Sequence, residues 1–172
     1  VTTYTYDVQN HLTGVTDAEG NATTYTYSDR DLMTQEVSPV SVTTTSSYNE
    51  HGEMVSQIDA RSIVTTLSVD AADRVTQKTF GPAGSPDPTL TTTYAYGSTP
   101  AQFDVGRLTG TTRNGQTIAY TYDRFGRVLQ DGALTYEYDT NGNPSKITYP
   151  GSVSAIYTHD FADRQATLSH DS

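Results

Sequence analysis

The stretch Tyr120-Thr-Tyr-Asp-Arg-Phe-Gly-Arg-Val-Leu129 recurs in imperfect copies along the whole chain. Its pattern is two tyrosines two residues apart, an aspartate directly after the second, and a Gly-Arg pair followed by a hydrophobic residue. A fixed repeat period governs the fold, and here four of the seven intervals between second-aromatic positions are 21 residues long. The aligned positions are Tyr6, Tyr27, Tyr48, Val69, Tyr96, Tyr122, Tyr138 and His159.

Each repeat is predicted to contain two β-strands and two turns. Side chains alternate between the two faces of a strand, so the pair Tyr4 and Tyr6 shares one face. In the second strand, Leu12 and Val15 are three residues apart and cannot share a face in a regular strand. Either both faces are partly buried, or a β-bulge near Gly14 changes the alternation.

The turns carry recognisable chemistry at two positions. An aspartate after the aromatic position can accept hydrogen bonds from the backbone of the following turn, and glycine supplies the positive φ that a tight hairpin needs. The predicted capping aspartates are Asp7, Asp70, Asp123, Asp139 and Asp160. The predicted turn glycines are Gly52, Gly106, Gly126 and Gly142.

Departures from the period predict longer loops near residues 80–93 and 97–105. Residues 80–88 contain three prolines and two glycines, a composition that we expect to exclude a central strand and to extend one turn. The short interval before Tyr138 contains Asp131-Gly132, which is typical of a two-residue hairpin loop.

The composition narrows the class of protein. Thirteen tyrosines, abundant threonine and valine and no sustained helical periodicity predict an all-β chain. The net charge is -10 and no basic patch occurs, which disfavours nucleic acid and anionic membranes as partners. Cysteine is absent, and no apolar run approaches the roughly 18 residues that span a bilayer, so we expect no membrane insertion by this segment.

No constellation of catalytic residues emerges, so we expect no enzyme, no cofactor and no metal site. Catalytic carboxylates form a unique pair about 5–10 Å apart, whereas these aspartates recur once per repeat beside a turn. Residues 139–143 have too few oxygen ligands for calcium. The histidines form neither an i, i+4 pair nor a His-Glu-x-x-His motif. His11 and His51 fall in predicted turns, and His159 takes the place of a repeat tyrosine.

The tyrosine pairs have two interpretations. Exposed aromatic ladders on a β-surface can stack against sugar rings, and the candidates for such binding are Tyr94, Tyr120 and Tyr122. The favoured interpretation is that the tyrosines pack against neighbouring hairpins, because they recur in the repeats whatever the local loop. Cross-strand packing of this kind contributes roughly 0.2–1 kcal/mol per pair.

The segments 122–128, 138–143 and 6–12 resemble the YD repeats of the Rhs family. Members include bacterial Rhs polymorphic toxins, the C component of Tc toxin complexes, wall-associated proteins and animal teneurins. The resemblance implies a long sheet that spirals into a hollow shell, which encloses a C-terminal toxin in bacterial members and serves adhesion in teneurins. The family's self-cleavage motif D-P-x-G-x-x-D is not found, since Asp87-Pro88 is followed by Thr-Leu-Thr, and neither protease nor toxin is assigned here.

We therefore expect residues 1–172 to be a single array of about eight hairpins in one curved or spiralling antiparallel sheet, a segment of a shell. The expected function is structural, namely encapsulation of a toxin or effector, and the alternative is an extracellular adhesion or carbohydrate-binding surface. The expected partners are the remainder of a longer parent chain and its toxin domain, and the expected location is the exterior or surface of a bacterium. Open sheet edges would favour self-association if the chain were complete.

Overall fold

The computed structural model describes residues 1–40 and 42–171, which form sixteen β-strands and one short 3-10 helix. No helix in these residues has the length and apolar character needed to cross a membrane. The 3-10 helix is Pro100–Gln102. The strands are β1 (Thr3–Tyr6), β2 (Leu12–Thr16), β3 (Ala22–Tyr27), β4 (Met33–Ser38), β5 (Val42–Tyr48), β6 (Met54–Ile58), β7 (Ile63–Val69), β8 (Val75–Pro82), β9 (Thr92–Tyr96), β10 (Leu108–Arg113), β11 (Gln116–Tyr122), β12 (Val128–Asp131), β13 (Leu134–Tyr138), β14 (Pro144–Thr148), β15 (Ser154–His159) and β16 (Gln165–Asp171).

The hydrogen-bonded order of the strands is the same as their order in the sequence, from β1 to β16. Each strand pair with a described register is antiparallel. The predicted all-β array of antiparallel hairpins is therefore confirmed. The chain divides into two compact units, Val1–Thr93 and Tyr94–Ser172, and the contacts described below lie within one unit or the other.

One turn geometry recurs throughout the array. In the first hairpin, the backbone N–H of Asp7 donates to the carbonyl of His11 at 3.0 Å, and that of Asn10 donates to the carbonyl of Asp7 at 3.1 Å. Asn10 has a φ of +70°, so the three-residue loop ends in a left-handed residue, a common hairpin connection. The left-handed residues at the same place in the other turns are Gly20, Asp31, Gly52, Ser62, Asp73, Gly126, Gly142, Ser152 and Asp163.

A β-bulge follows the turn in each repeat whose register is described across it. In the first repeat, Tyr4 lies opposite Val15 and Tyr6 lies opposite Leu12, which leaves Thr13 as an extra residue. Residues directly opposite each other share a face of the sheet. Leu12 and Val15 therefore both lie on the tyrosine face. The bulge explains how two residues that are three apart in the sequence share one face. The same shift occurs at Tyr27, Tyr48, Val69, Tyr122, Tyr138 and His159.

No hydrophobic side chain among residues 1–40 and 42–171 is fully buried. In β3, β9 and β13 the tyrosine face is instead half-buried and the other face is exposed. In β3, for example, Tyr25 and Tyr27 are half-buried, whereas Thr24 and Thr26 are exposed. The aromatic side chains of the described residues are therefore shielded from water mainly by neighbours on their own face of the sheet, and not by a second layer.

The predicted loop at residues 80–88 begins later than expected. Strand β8 continues to Pro82, which lies opposite Ile63 of β7, and Phe80 lies opposite Thr65. Residues 80–82 are thus the end of β8, and in the described register they lie opposite β7 alone and not in a central strand. The described pairing of β8 with β9 extends no further than Lys78. Beyond that point no strand lies opposite the second edge of β8 in the described register, and the backbone N–H of Asp87 donates to the carbonyl of Phe80 at 2.7 Å instead. Proline has no N–H to donate and is tolerated at such an edge.

The loop at residues 97–105 contains the 3-10 helix, and two other connections are two-residue hairpin loops. Arg113 lies opposite Gln116 across Asn114-Gly115, where both loop residues have positive φ. Asp131 lies opposite Leu134, so the second loop is Gly132-Ala133, one residue later than the predicted Asp131-Gly132.

Replacing Gly81 by alanine is expected to destabilise the protein strongly. Gly81 has a φ of +152°, and an added Cβ would lie 2.7 Å from the Asp87 nitrogen and the Ser85 oxygen, both backbone atoms. Overpacking against backbone costs about 1–3 kcal/mol in addition to the backbone strain. The free energy of unfolding in urea measures the loss.

Gly84→Ala is the matched control, because Gly84 also has positive φ, at +74°, but an added Cβ there would have nothing within 4 Å. Equal losses of stability in the two variants would contradict the role assigned to the close approach at Gly81.

Candidate functional site

The second tyrosine of a repeat forms a hydrogen bond to the preceding hairpin. In each described case its hydroxyl donates to the backbone carbonyl of the first residue of the strand that follows the preceding turn. These tyrosines are half-buried, so the ring packs while the hydroxyl satisfies a carbonyl beside a bulge. The bonds are Tyr27 to Leu12 at 3.1 Å, Tyr48 to Met33 at 2.7 Å, Tyr122 to Leu108 at 2.7 Å and Tyr138 to Val128 at 2.8 Å.

The aspartate after the aromatic position organises the turn. Asp123 Oδ1 accepts hydrogen bonds from the backbone N–H groups of Phe125, at 2.8 Å, and Arg127, at 3.0 Å. This Asx-type arrangement satisfies two donors that the sheet leaves unpaired. The same pair of bonds is made by Asp7, Asp17, Asp59, Asp70, Asp139 and Asp160, and by the amide oxygen of Asn49.

The second carboxylate oxygen accepts a hydrogen bond from the side chain of the residue four positions further along the chain. Arg127 Nε donates to Asp123 Oδ2 at 2.6 Å. The donor need not be charged, because asparagine serves in two turns. The other donors at this position are His11, Asn21, Arg74, Asn143 and Arg164.

The same donor also contacts the second aromatic ring of the next repeat. Arg127 Cζ lies 4.5 Å from the ring centroid of Tyr138, and His11 stacks on Tyr27 with centroids 4.7 Å apart and planes inclined by 22°. A cation over an aromatic face contributes about 0.5–1 kcal/mol at exposed sites. The aspartate, its donor and the next tyrosine are thus linked from one repeat to the next.

Neighbouring turns contact each other directly where the left-handed residue is an aspartate. Asp31 Oδ1 lies 3.2 Å from His11 Nε2, and Asp163 Oδ1 accepts bonds from the amides of Asn141 and Asn143 at 2.9 and 2.8 Å. Aspartate tolerates the left-handed conformation better than most residues and adds a carboxylate that glycine lacks. We call the successive turns of each unit the turn row. Its members are 7–11, 28–32, 49–53 and 70–74 in the first unit, and 123–127, 139–143 and 160–164 in the second.

These hydrogen bonds lower the pKa values of the capping carboxyl groups. For Asp70, the side-chain hydrogen bonds from Arg74 have the largest effect and move the pKa below its ordinary value of 3.8. Arg164 acts in the same way on the pKa of Asp160. At Asp123, loss of hydration favours a higher pKa, but hydrogen bonds from Arg127 outweigh it and the pKa is lowered. Loss of hydration raises the pKa of the Tyr122 and Tyr138 hydroxyls above 10.0.

One group in the described part of the chain brings potential metal ligands together, namely His51, Glu53 and Asp73. One donor atom from each lies within 4.8 Å of the other two. Sequence reasoning missed this group because it searched for ligands within one motif, whereas His51 and Asp73 lie in consecutive turns. The 21-residue period, with an aspartate at the left-handed position, could have indicated the contact.

The carbohydrate-binding candidates fall in two places. Tyr120 and Tyr122 line an open groove in the second unit together with Phe103 and Asp104. Tyr94 is half-buried on β9. Because the hydroxyl of Tyr122 is held by a backbone carbonyl, this residue has a structural role as well. Sugar binding at these residues stays a prediction.

Three of the four predicted turn glycines occupy matching places, and Gly106 does not. The capping and aromatic residues lie as described above, with Tyr96 at the end of β9. Gly52, Gly126 and Gly142 are the left-handed residues of their turns, with φ of +91°, +83° and +96°. Gly106 also has positive φ, at +74°, but it lies in the longer loop after the 3-10 helix.

Comparison with known proteins agrees with this repeating geometry. The family described as RHS Repeat matches residues 1–22 and 6–43. These residues contain the first two members of the turn row, 7–11 and 28–32. Residues 1–43 are therefore similar to RHS repeats. A comparison with curated protein sequences finds no significant match.

Three solved structures share the fold of this chain. The TcdB2-TccC3 crystal structure covers 98% of this chain with a TM-score of 0.74 and 15% identity. A Photorhabdus luminescens Tc holotoxin pore covers 98% with a TM-score of 0.62 and 16% identity. TcdB2-TccC3 without its hypervariable C-terminal region covers 97% with a TM-score of 0.56 and 14% identity. This chain spans only 10%, 9% and 13% of those chains, respectively.

The variant Tyr48→Phe is expected to lose about 1 kcal/mol of unfolding free energy, the typical net contribution of one hydrogen bond. It removes the hydroxyl that donates to Met33 and keeps the ring. Tyr6→Phe is the control, because Tyr6 is 58% exposed and no such bond is found for it among the described residues. Urea denaturation measures both variants, and an equal response would contradict the proposed link between repeats.

The array is expected to lose stability in acid. A carboxyl group whose pKa is lower in the folded state stabilises the protein above its unfolded pKa, and this contribution disappears as the pH falls through the folded value. For Asp70 and Asp160 the loss therefore begins near 3.8 and continues below it. Urea midpoints measured across this range should fall with pH, and less steeply in Asp70→Asn. A slope unchanged by the substitution would contradict the assignment.

Proposed function

We propose that this chain is a structural segment of a larger RHS-repeat protein, and that its sheet forms part of a wall around a C-terminal toxin or effector. The proposed mechanism is steric. A sheet whose strands are paired to their neighbours leaves few free edges, and the enclosed polypeptide is kept from proteases and from its targets until release. The partners are the remainder of the parent chain and the enclosed domain.

The observation that carries this proposal is the unbroken strand order, in which each hairpin is hydrogen bonded to the next in sequence. A wall needs contacts that repeat without requiring a central core. The tyrosine hydroxyl bonds and the turn-to-turn contacts meet this requirement, because each involves only adjacent repeats. The likeness of the fold to structures described as Tc toxin complexes is consistent with such a role.

The uncovered tyrosine face also supports a wall rather than a free-standing domain. Domains normally bury an apolar sheet face under a second layer. Here Tyr4 and Tyr6 are each 58% exposed, and no apolar side chain of the described residues is buried. A parent chain or an enclosed polypeptide could supply the missing contacts. A location outside the bacterial cell or on its surface follows from the proposed role in a toxin.

The second candidate function is an adhesive or carbohydrate-binding surface. The observation in its favour is the groove of the second unit, which Phe103, Asp104 and Tyr120 line together. Aromatic rings beside a few polar groups are typical of ligand sites. The favoured proposal remains encapsulation, since the groove occurs at one place and the connected framework extends through the chain.

Limited proteolysis of the complete parent protein tests encapsulation. The domain that follows the repeats should resist a non-specific protease in the intact parent and be digested rapidly when it is expressed alone. Substituting both Tyr48 and Tyr122 by alanine should increase its digestion in the parent, because two links between repeats are lost. Mass spectrometry of the released peptides measures the protection. Equal digestion of the domain in the intact parent and in isolation would contradict enclosure.

A further inference from the structure

The turn at residues 49–53 departs from the chemistry of the aspartate-capped members of the turn row. Its cap is the neutral Asn49, whose Oδ1 accepts bonds from the backbone N–H groups of His51 and Glu53, both at 3.0 Å. At the position where several other turns place a donor that binds the cap, this turn has Glu53. A carboxylate cannot donate to an amide oxygen, so the side chain of Glu53 does not bind the cap as the donors of those other turns do.

Glu53 instead lies near two groups that could share a cation with it. His51 Nδ1 is 3.9 Å from Glu53 Oε2 and 3.2 Å from Asp73 Oδ1. Asp73 is the left-handed residue of the next turn, with a φ of +58°. Two carboxylate oxygens and an imidazole nitrogen, each within 4.8 Å of the others, therefore converge from consecutive repeats.

The buried oxygen of Glu53 is an independent indication of a missing positive charge. Glu53 Oε2 is shielded from solvent and has no hydrogen-bond donor among the described residues. A carboxylate oxygen removed from water without a partner is costly, and such atoms usually mark a bound ion or water. The nearby carboxylate of Asp73 adds repulsion, which a cation between the two would reverse.

Comparison with His11 shows why a hydrogen-bonded bridge is a poorer explanation. The two ring nitrogens of His11 face different carboxylates, with Nδ1 2.9 Å from Asp7 and Nε2 3.2 Å from Asp31. At His51, both carboxylates approach the same nitrogen. One hydrogen on Nδ1 satisfies at most one of them well, whereas one metal ion can bind the nitrogen and both oxygens.

We propose that His51 Nδ1, Glu53 Oε2 and Asp73 Oδ1 bind one divalent transition-metal ion, for which Zn²⁺ is the best match. Zinc combines imidazole nitrogen and carboxylate oxygen ligands at about 2.0–2.2 Å, so small side-chain movements bring the three atoms into range. His51 and Asp73 are 67% and 44% exposed, which leaves room for water at the remaining coordination positions. Calcium fits poorly, because it requires six or more oxygen ligands.

The role of the proposed ion is to cross-link two consecutive repeats. It joins turn 49–53 to turn 70–74. Without the ion, these two turns would be held at this place by the contact between His51 and Asp73, which is a weaker link. Because the ion binds the folded arrangement and not the separated turns, it should raise the stability of the first unit with increasing metal concentration. This role is independent of whether the parent protein encloses a toxin.

Calorimetric titration of the tag-free, chelator-treated chain with Zn²⁺ tests the site. We expect one equivalent to bind at this site and the thermal unfolding temperature to rise. His51→Ala and Asp73→Asn should each weaken binding by about tenfold or more, since even the loss of a group that only orients a ligand costs 10–100-fold. His11→Ala is the matched control, and it should leave the affinity unchanged. Ca²⁺ at the same concentration should not compete.

An NMR titration of the unsubstituted chain gives a second reading that does not depend on the folding of any variant. The imidazole signals of His51 should shift with Zn²⁺ before those of His11, His159 and His170. The proposal is overturned if Zn²⁺ does not bind, if another histidine responds first, or if binding survives both His51→Ala and Asp73→Asn.

Discussion

The structure depends on an aspartate that organises a turn and, through its partner, the next repeat. Asp123 holds the backbone of its turn with one oxygen and Arg127 with the other, while the guanidinium of Arg127 lies over Tyr138. Each contact is weak in water, but the three groups orient one another. A side chain that is already ordered by one contact loses less conformational entropy when it forms the next. Order passes along the sheet in this way without a buried apolar layer.

Much of this arrangement could be predicted from the sequence, because the repeat itself is a local signal. The 21-residue spacing gives the hairpins, and the position of Asp7 beside a turn gives its role as a cap. The alternation of Tyr4 and Tyr6 gives their common face. The end of β8 could not be predicted in the same way, because a proline such as Pro82 is tolerated in a strand only where the second edge of that strand is unpaired, and the sequence does not show where this is so. The hairpin at Asn114-Gly115 had a clear signal that was overlooked.

The candidate site was less predictable, because its contacts join residues about one repeat apart. The partner of Arg127 lies four residues back and could have been inferred from the turn geometry, but its tyrosine lies in the following repeat. His51 and Asp73 are 22 residues apart, and nothing in either turn alone marks them as neighbours. The informative signal is the exception within the repeat, where an asparagine cap and a glutamate replace the usual acid and donor.

The bulge at each second aromatic position has a consequence for how such a sheet can grow. It follows the turn after the aromatic position in each repeat whose register is described there, whereas the pairs between those turns keep a continuous register. The end of one repeat therefore presents the same pattern of side chains as its beginning. Inserting or deleting a whole unit of 21 residues therefore leaves the register of its neighbours intact, whereas a change of one residue within a strand would invert every following side chain. Length becomes adjustable in steps of one hairpin pair.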